Sequence, residues 1–255
     1  MTTIPLHYTV DGPRDAPVLI LGPPLGTTAA RWEPQVPALS HHFRVVRYDH
    51  RGHGGSPVPP GPYTIADLGG DVLALADTLG ADHFHLGGVS LGSFVALWVA
   101  EHHPQRVRRL VLAGTAARAG TPQAWRDRAE TVRSQGTGAI AETVVGRWLP
   151  EEYAAAQPDV HKGLLAAVAG TPAEGYAGCC AALETMDLEP DLARVTAPTL
   201  VIIGGEDQST PPERGLAVAA GIHGSRVADL PGAAHLANLS HADEVTSLLL
   251  DFLVS

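Results

Sequence analysis

The sequence predicts an α/β fold: a mostly parallel central sheet flanked by helices, with a helical segment inserted in the middle of the chain. Three observations carry this. Short apolar runs rich in β-branched residues alternate with helix-period segments in both outer parts of the chain. The stretch between Thr115 and Leu192 breaks that alternation and shows no strand series. Between an apolar run and a helix-like segment stands Gly88-Val89-Ser90-Leu91-Gly92, in the order strand, sharp turn, helix.

Taken in order, residues 18–21 and 44–48 read as the first strands. Residues 65–79 place Ile65, Leu68, Val72, Leu75, Ala76 and Leu79 on one helical face. A strand over 83–87 leads into Ser90. The helix after it, 93–102, presents Phe94, Leu97 and Trp98 to the core. A strand over 108–112 follows, and then the atypical middle, where Gly136, Gly138, Pro150, Pro158, Gly170 and Pro172 interrupt helical patterns. Such an insertion forms a helical cap over the strand ends. Pro198 precedes a new strand, 199–203, where its missing donor is tolerable. A strand over 226–230 and a helix through Val245, Leu248, Leu249 and Phe252 close the series. Parallel strands between crossover helices require a sheet covered on both faces. The expected organisation is a core of residues 1–114 and 193–255 with a cap of residues 115–192. No internal repeat or low-complexity linker stands out.

Composition narrows the class of function. The 255 residues are enough for one large domain. With 17 Lys+Arg against 27 Asp+Glu, the formal net charge is -10. That balance, without a basic tract, argues against a nucleic-acid partner. No run of roughly 18 uncharged apolar residues suggests a membrane span, and residues 1–10 do not read as a secretory leader. Cys179 and Cys180 are adjacent and fit neither a useful disulfide nor a metal-binding spacing. They are expected to be reduced and buried, in a cytoplasmic protein without a metal or organic cofactor.

A serine hydroxyl needs a base and a site for the oxyanion it creates before it can act as a nucleophile. Gly88 and Gly92, two residues either side of Ser90, permit a tight elbow. Asp207 follows the 199–203 strand through Gly204-Gly205-Glu206, where an acid can orient an imidazole. Its alternative role is in a turn near Pro211, and Glu206 competes for the acidic part. His235, just after the last strand, is placed to take and return a proton. His50 and His53, in Asp49-His50-Arg51-Gly52-His53-Gly54, are alternatives, but their dense turn points to structural hydrogen bonding. His102 and His103 suit a helix C-terminus. Oxyanion donors are expected from the backbone N–H groups of Leu91 and Leu25. In Gly22-Pro23-Pro24-Leu25-Gly26 neither proline can donate, so the prolines set the direction of the loop or form only a rigid turn.

With these motifs assembled, the chain resembles the 3-oxoadipate enol-lactonase family of the α/β-hydrolase superfamily over nearly its whole length. The resemblance includes Pro24-Leu25-Gly26-Thr27-Thr28, the Asp49 to Gly54 turn and the Ser90 elbow. It continues through Arg147-Trp148-Leu149-Pro150, the segment from Gly175 to Leu183, Met186-Asp187-Leu188, the segment from Gly204 to Pro212, and Ala233-Ala234-His235-Leu236-Ala237-Asn238. It implies Ser90, Asp207 and His235 as a catalytic triad and a serine acyl-enzyme route from the enol-lactone to 3-oxoadipate. The chain departs from the family where Pro23-Pro24 replaces a polar pair and where Leu91-Gly92-Ser93 follows a different pattern. The backbone donors survive both changes; the loop polarity near the substrate does not. The substrate carboxylate calls for a cap cation. Arg147 is the first candidate and Trp148 a pocket wall, with Arg118, Arg126, Arg128 and Arg133 in competition. The runner-up reading is an esterase or lactonase acting on another small substrate. The fold also supports perhydrolases and C–C bond hydrolases, and a non-enzymatic scaffold would lack a member of the triad.

Overall fold

The computed structural model describes residues 2–254. Met1, the first residue of the segment read for a leader, lies outside them, as does Ser255. Seven strands form one sheet: β1 (Tyr8–Asp11), β2 (Val18–Gly22), β3 (Arg44–Tyr48), β4 (Phe84–Val89), β5 (Val107–Ala113), β6 (Thr199–Gly204) and β7 (Arg226–Leu230). Their order is β1-β3-β2-β4-β5-β6-β7. Every neighbouring pair is parallel except β1 with β3. All residues of β4 and β6 are buried, as continuous apolar runs should be when a parallel strand has both faces covered.

The helices are α1 (Val36–Leu39), α2 (Ile65–Thr78), α3 (Leu91–His102), α4 (Pro122–Gln135), α5 (Gly138–Val145), α6 (Glu151–Ala156), α7 (Pro158–Ala169), α8 (Ala173–Thr185), α9 (Pro212–Gly221), α10 (Ala237–Ser240) and α11 (Ala242–Leu253). A capping box starts α2: the Thr64 hydroxyl oxygen accepts from the Asp67 amide at 3.1 Å, and the Asp67 carboxylate accepts from the Thr64 amide at 3.0 Å. The buried face of α2 carries Leu68, Val72, Leu75 and Ala76. Helix α3 is buried along nearly its whole length, from Leu91 to Glu101, and packs against β2, β4 and β5. Helices α4–α8 lie between β5 and β6 and form the inserted helical region.

The expected strands all form, most of them longer by one or two residues. β1 is an addition. It is four residues long, lies at the sheet edge, and leaves Val10 41% exposed, so it has no apolar stripe to betray it. Its pairing with β3 is tertiary, and it is the antiparallel component of the sheet.

Candidate active site

The Ser90 turn follows directly from β4 and α3. Ser90 has φ 54° and ψ -119°, and it is the only non-glycine with positive φ among the described residues. Such a conformation is costly for an L-residue and persists only when its surroundings hold it. Here the Ser90 amide donates to Ala113 O at 3.0 Å, while Ser90 O accepts from Phe94 N at 3.0 Å and Ser93 Oγ at 2.7 Å. A methyl carbon at Gly88 would lie 2.1 Å from the Gly92 carbonyl carbon. One at Gly92 would lie 2.2 Å from Gly22 O. The two glycines therefore let β4, the Ser90 turn and the end of β2 meet.

Asp207 and His235 are brought together by the turns after β6 and β7. The His235 Nδ1–H donates to Asp207 Oδ2 at 2.8 Å, which leaves Nε2 free for chemistry. Asp207 Oδ2 also accepts from Thr210 Oγ1 at 2.7 Å, and Oδ1 accepts from the Ser209 and Thr210 amides at 2.7 and 2.9 Å. Burial by itself would raise this carboxyl. The charge and hydrogen bond of His235, with the Thr210 donors, outweigh it and hold Asp207 below its usual range. Asp207 thus hydrogen-bonds its own turn as well as the imidazole. Glu206 is exposed and turns away to an adjoining cleft.

Ser90 and His235 line one cavity of about 220 Å³. Leu25 borders it from the β2 loop, Phe94 from α3, and Trp148 and Tyr176 from the inserted region. The Leu91 amide begins α3, where backbone N–H groups have no intrahelical acceptor. Trp148 is 4% exposed and forms wall, and its carbonyl accepts from the Leu236 amide at 2.9 Å, tying the inserted region to the histidine turn.

Two arginines reach the cavity, Arg128 and Arg147. The competing cations are committed elsewhere: Arg118 pairs with Asp187 and Glu189, Arg126 with Glu184, and Arg133 with Glu174. Arg147 is exposed and shared with the adjoining cleft, which also carries Glu151 and Glu206. Arg128 is half-buried and lies over the Trp125 ring, 4.7 Å from its centroid. Beside it is the Tyr176 hydroxyl, which burial pushes well above its ordinary range against the opposing effect of Arg128.

His50 and His53 do not border the cavity. His50 Nε2–H donates to Pro23 O at 2.9 Å, and His53 Nε2 accepts from the Gly26 amide at 3.0 Å, both inside the protein. His102 ends α3 and stacks on Trp98 at 4.5 Å. Cys179 and Cys180 are unpaired and buried in α8. Thr210, Trp125 and Tyr176 are cavity residues that the sequence patterns did not single out. A threonine three residues after the acid was the available signal for the first.

The sequence pattern of the alpha/beta hydrolase fold matches residues 17–242. The chain belongs to the α/β-hydrolase family. This α/β-hydrolase is 40% identical to 3-oxoadipate enol-lactonase 2 of Acinetobacter baylyi over 81% of the chain and 78% of that protein. The enol-lactonase of Burkholderia xenovorans LB400 superposes with a TM-score of 0.96 at 41% identity, over 98% of this chain and 96% of that one. A thermophilic esterase of Thermogutta terrifontis, with malate bound, gives 0.92 at 30% identity over 97% and 92%. No helix among the described residues is long and apolar enough to cross a membrane.

Proposed function

We propose that this α/β-hydrolase opens 3-oxoadipate enol-lactone (4,5-dihydro-5-oxofuran-2-acetate) with water to give 3-oxoadipate, through an acyl-enzyme on Ser90. The observation that carries the reading is one small cavity holding a strained serine, an aspartate-oriented histidine and two arginines without a carboxylate partner among the described residues.

Ser90 Oγ attacks the lactone carbonyl as His235 Nε2 takes its proton. The Leu25 and Leu91 amides donate to the oxyanion. Collapse of the tetrahedral intermediate breaks the ring C–O bond, and His235 protonates the departing enolate oxygen. The enol becomes the ketone. A water then loses a proton to His235 and attacks the acyl carbon, and Ser90 leaves with that proton. Asp207 holds the imidazole tautomer and stabilises the imidazolium.

Arg128 takes the substrate carboxylate, with the Tyr176 hydroxyl beside it. That hydroxyl is buried beside the Arg128 guanidinium, and a ligand oxygen would complete its hydrogen bonding. Arg147 adds positive charge at the rim, and Trp148 closes the apolar side. Buried, unpaired thiols fit a reducing compartment, and the reading includes a cytoplasmic location.

The test is turnover of freshly generated enol-lactone beside a neutral aryl ester. Ser90→Ala removes both activities. Arg128→Gln raises KM for the lactone by about 10-fold or more, the worth of one charge-assisted hydrogen bond, and leaves KM for the neutral ester within about 2-fold. Good ester turnover with negligible lactone turnover rejects this substrate and keeps the hydrolase. Equal losses on both substrates remove Arg128 from carboxylate binding.

A further inference from the structure

We propose that His53 is a positioning residue for the oxyanion site: its Nε2 accepts the Gly26 amide and thereby fixes the peptide plane that follows Leu25. The inference rests on the assignment of the Leu25 amide as an oxyanion donor.

Two peptide planes meet at the Leu25 α-carbon, and their relative orientation sets where the Leu25 N–H points. Each is held by hydrogen bonds, the first from within the loop and the second from outside it. The Pro24–Leu25 plane is held through Pro24 O, which accepts from Thr27 Oγ1 at 2.8 Å and Thr27 N at 3.3 Å. The Leu25–Gly26 plane is held through the Gly26 amide on His53. One residue earlier, Pro23 O accepts from His50 Nε2 at 2.9 Å and from the Gly92 amide at 3.1 Å. With prolines at 23 and 24, Gly26 supplies the first backbone N–H after Leu25 that can tie the loop down, and it is spent on His53.

The arrangement requires one tautomer. Nε2 can accept only if it carries no proton, so the ring proton sits on Nδ1 and is donated to Arg51 O at 3.1 Å. His53 is fully buried. Burial pushes its pKa down to about 4, against the Arg51 carbonyl and Asp49, which favour the charged form. The His50 ring faces it at 6.2 Å and Tyr176 of α8 at 6.4 Å. The turn behind it is rigid. Arg51 makes two bonds to Asp71 of α2, at 2.6 and 2.8 Å, and Asp49 accepts from Ala29 N and Gly55 N at 2.8 and 2.9 Å. A misplaced amide in an oxyanion site loses transition-state stabilisation while ground-state binding persists, so the effect belongs in kcat.

The experiment has two arms. In the wild-type protein, long-range 1H–15N spectra at neutral pH, with His53 assigned from a variant, should show a neutral ring protonated on Nδ1. An Nε2–H tautomer or a charged ring overturns the proposal. In kinetics, His53→Gln keeps an acceptor where Nε2 stood, and His53→Asn keeps a donor near Arg51 O but removes that acceptor. His53→Asn should lose about 10-fold or more in kcat with KM within about 3-fold, while His53→Gln stays within about 3-fold of wild type in both. Equal kcat losses in the two variants, or a loss confined to KM, also overturn it. If the wild type hydrolyses the aryl ester but not the lactone, the substrate reading fails and the same comparison runs on the ester. If an exchange prevents folding, the spectra of the wild type decide.

Discussion

Glu101 carries a carboxyl group into the apolar body of α3, and neither of its oxygens finds a hydrogen bond. Burial pushes its pKa up to about 8; Asp191 and Asp187 add to this and Arg194 opposes it. The folded protein therefore keeps a proton that the unfolded chain releases in the ordinary carboxyl range. Stability conferred by that proton is full at low pH and is lost as pH rises toward about 8, at up to about 1.4 kcal/mol per pH unit. Glu101→Gln should match wild type in urea unfolding near pH 4 and exceed it by a few kcal/mol at pH 8. Equal stabilities at both pH values would contradict the buried acid. At this scale the sequence exposed what depends on chain position. Ser90, Asp207 and His235 each follow a strand, and buried runs mark β4 and β6, the strands before the first two. It could not rank the arginines, because Arg118, Arg126 and Arg133 are removed from contention only by partners 41 or more residues away. Arg128 and Arg147 are left by what they lack, an ion pair among the described residues, and a sequence does not display that.

Among the elements, the strands with two covered faces were the most legible, since burial on both sides demands an unbroken apolar run. β1 was illegible for the opposite reason: it is short, exposed and made by pairing alone. The α2 boundary is set locally, and its start can be tested. Thr64→Ala removes the hydroxyl half of the capping box and should cost about 1 kcal/mol in chemical denaturation. The exchange should leave kcat and KM unchanged, because neither Thr64 nor Asp67 borders the cavity. The α3 start is set differently. Its first turn has no side-chain cap; the Gly92 amide is spent on Pro23 O and the Phe94 amide on Ser90 O, which leaves the Leu91 amide at the helix start for the donor role an oxyanion site demands.

In the whole molecule, the inserted helices and the sheet share one continuous apolar core. Val132, Leu164, Cys179 and Leu183 belong to the same cluster as the buried residues of β2–β6. The Trp148 to Leu236 hydrogen bond crosses between the two parts beside His235. Calorimetry should therefore show one unfolding transition with equal calorimetric and van't Hoff enthalpies. Two separated transitions would mean that the helices melt on their own. The adjacent cysteines of α8 extend this into time. Both thiols are sealed and held protonated by burial, and only an exposed thiolate reacts with a disulfide reagent. Their modification rate is thus a clock for the opening of the helix that carries Tyr176, and a molecule resting against that tyrosine slows it.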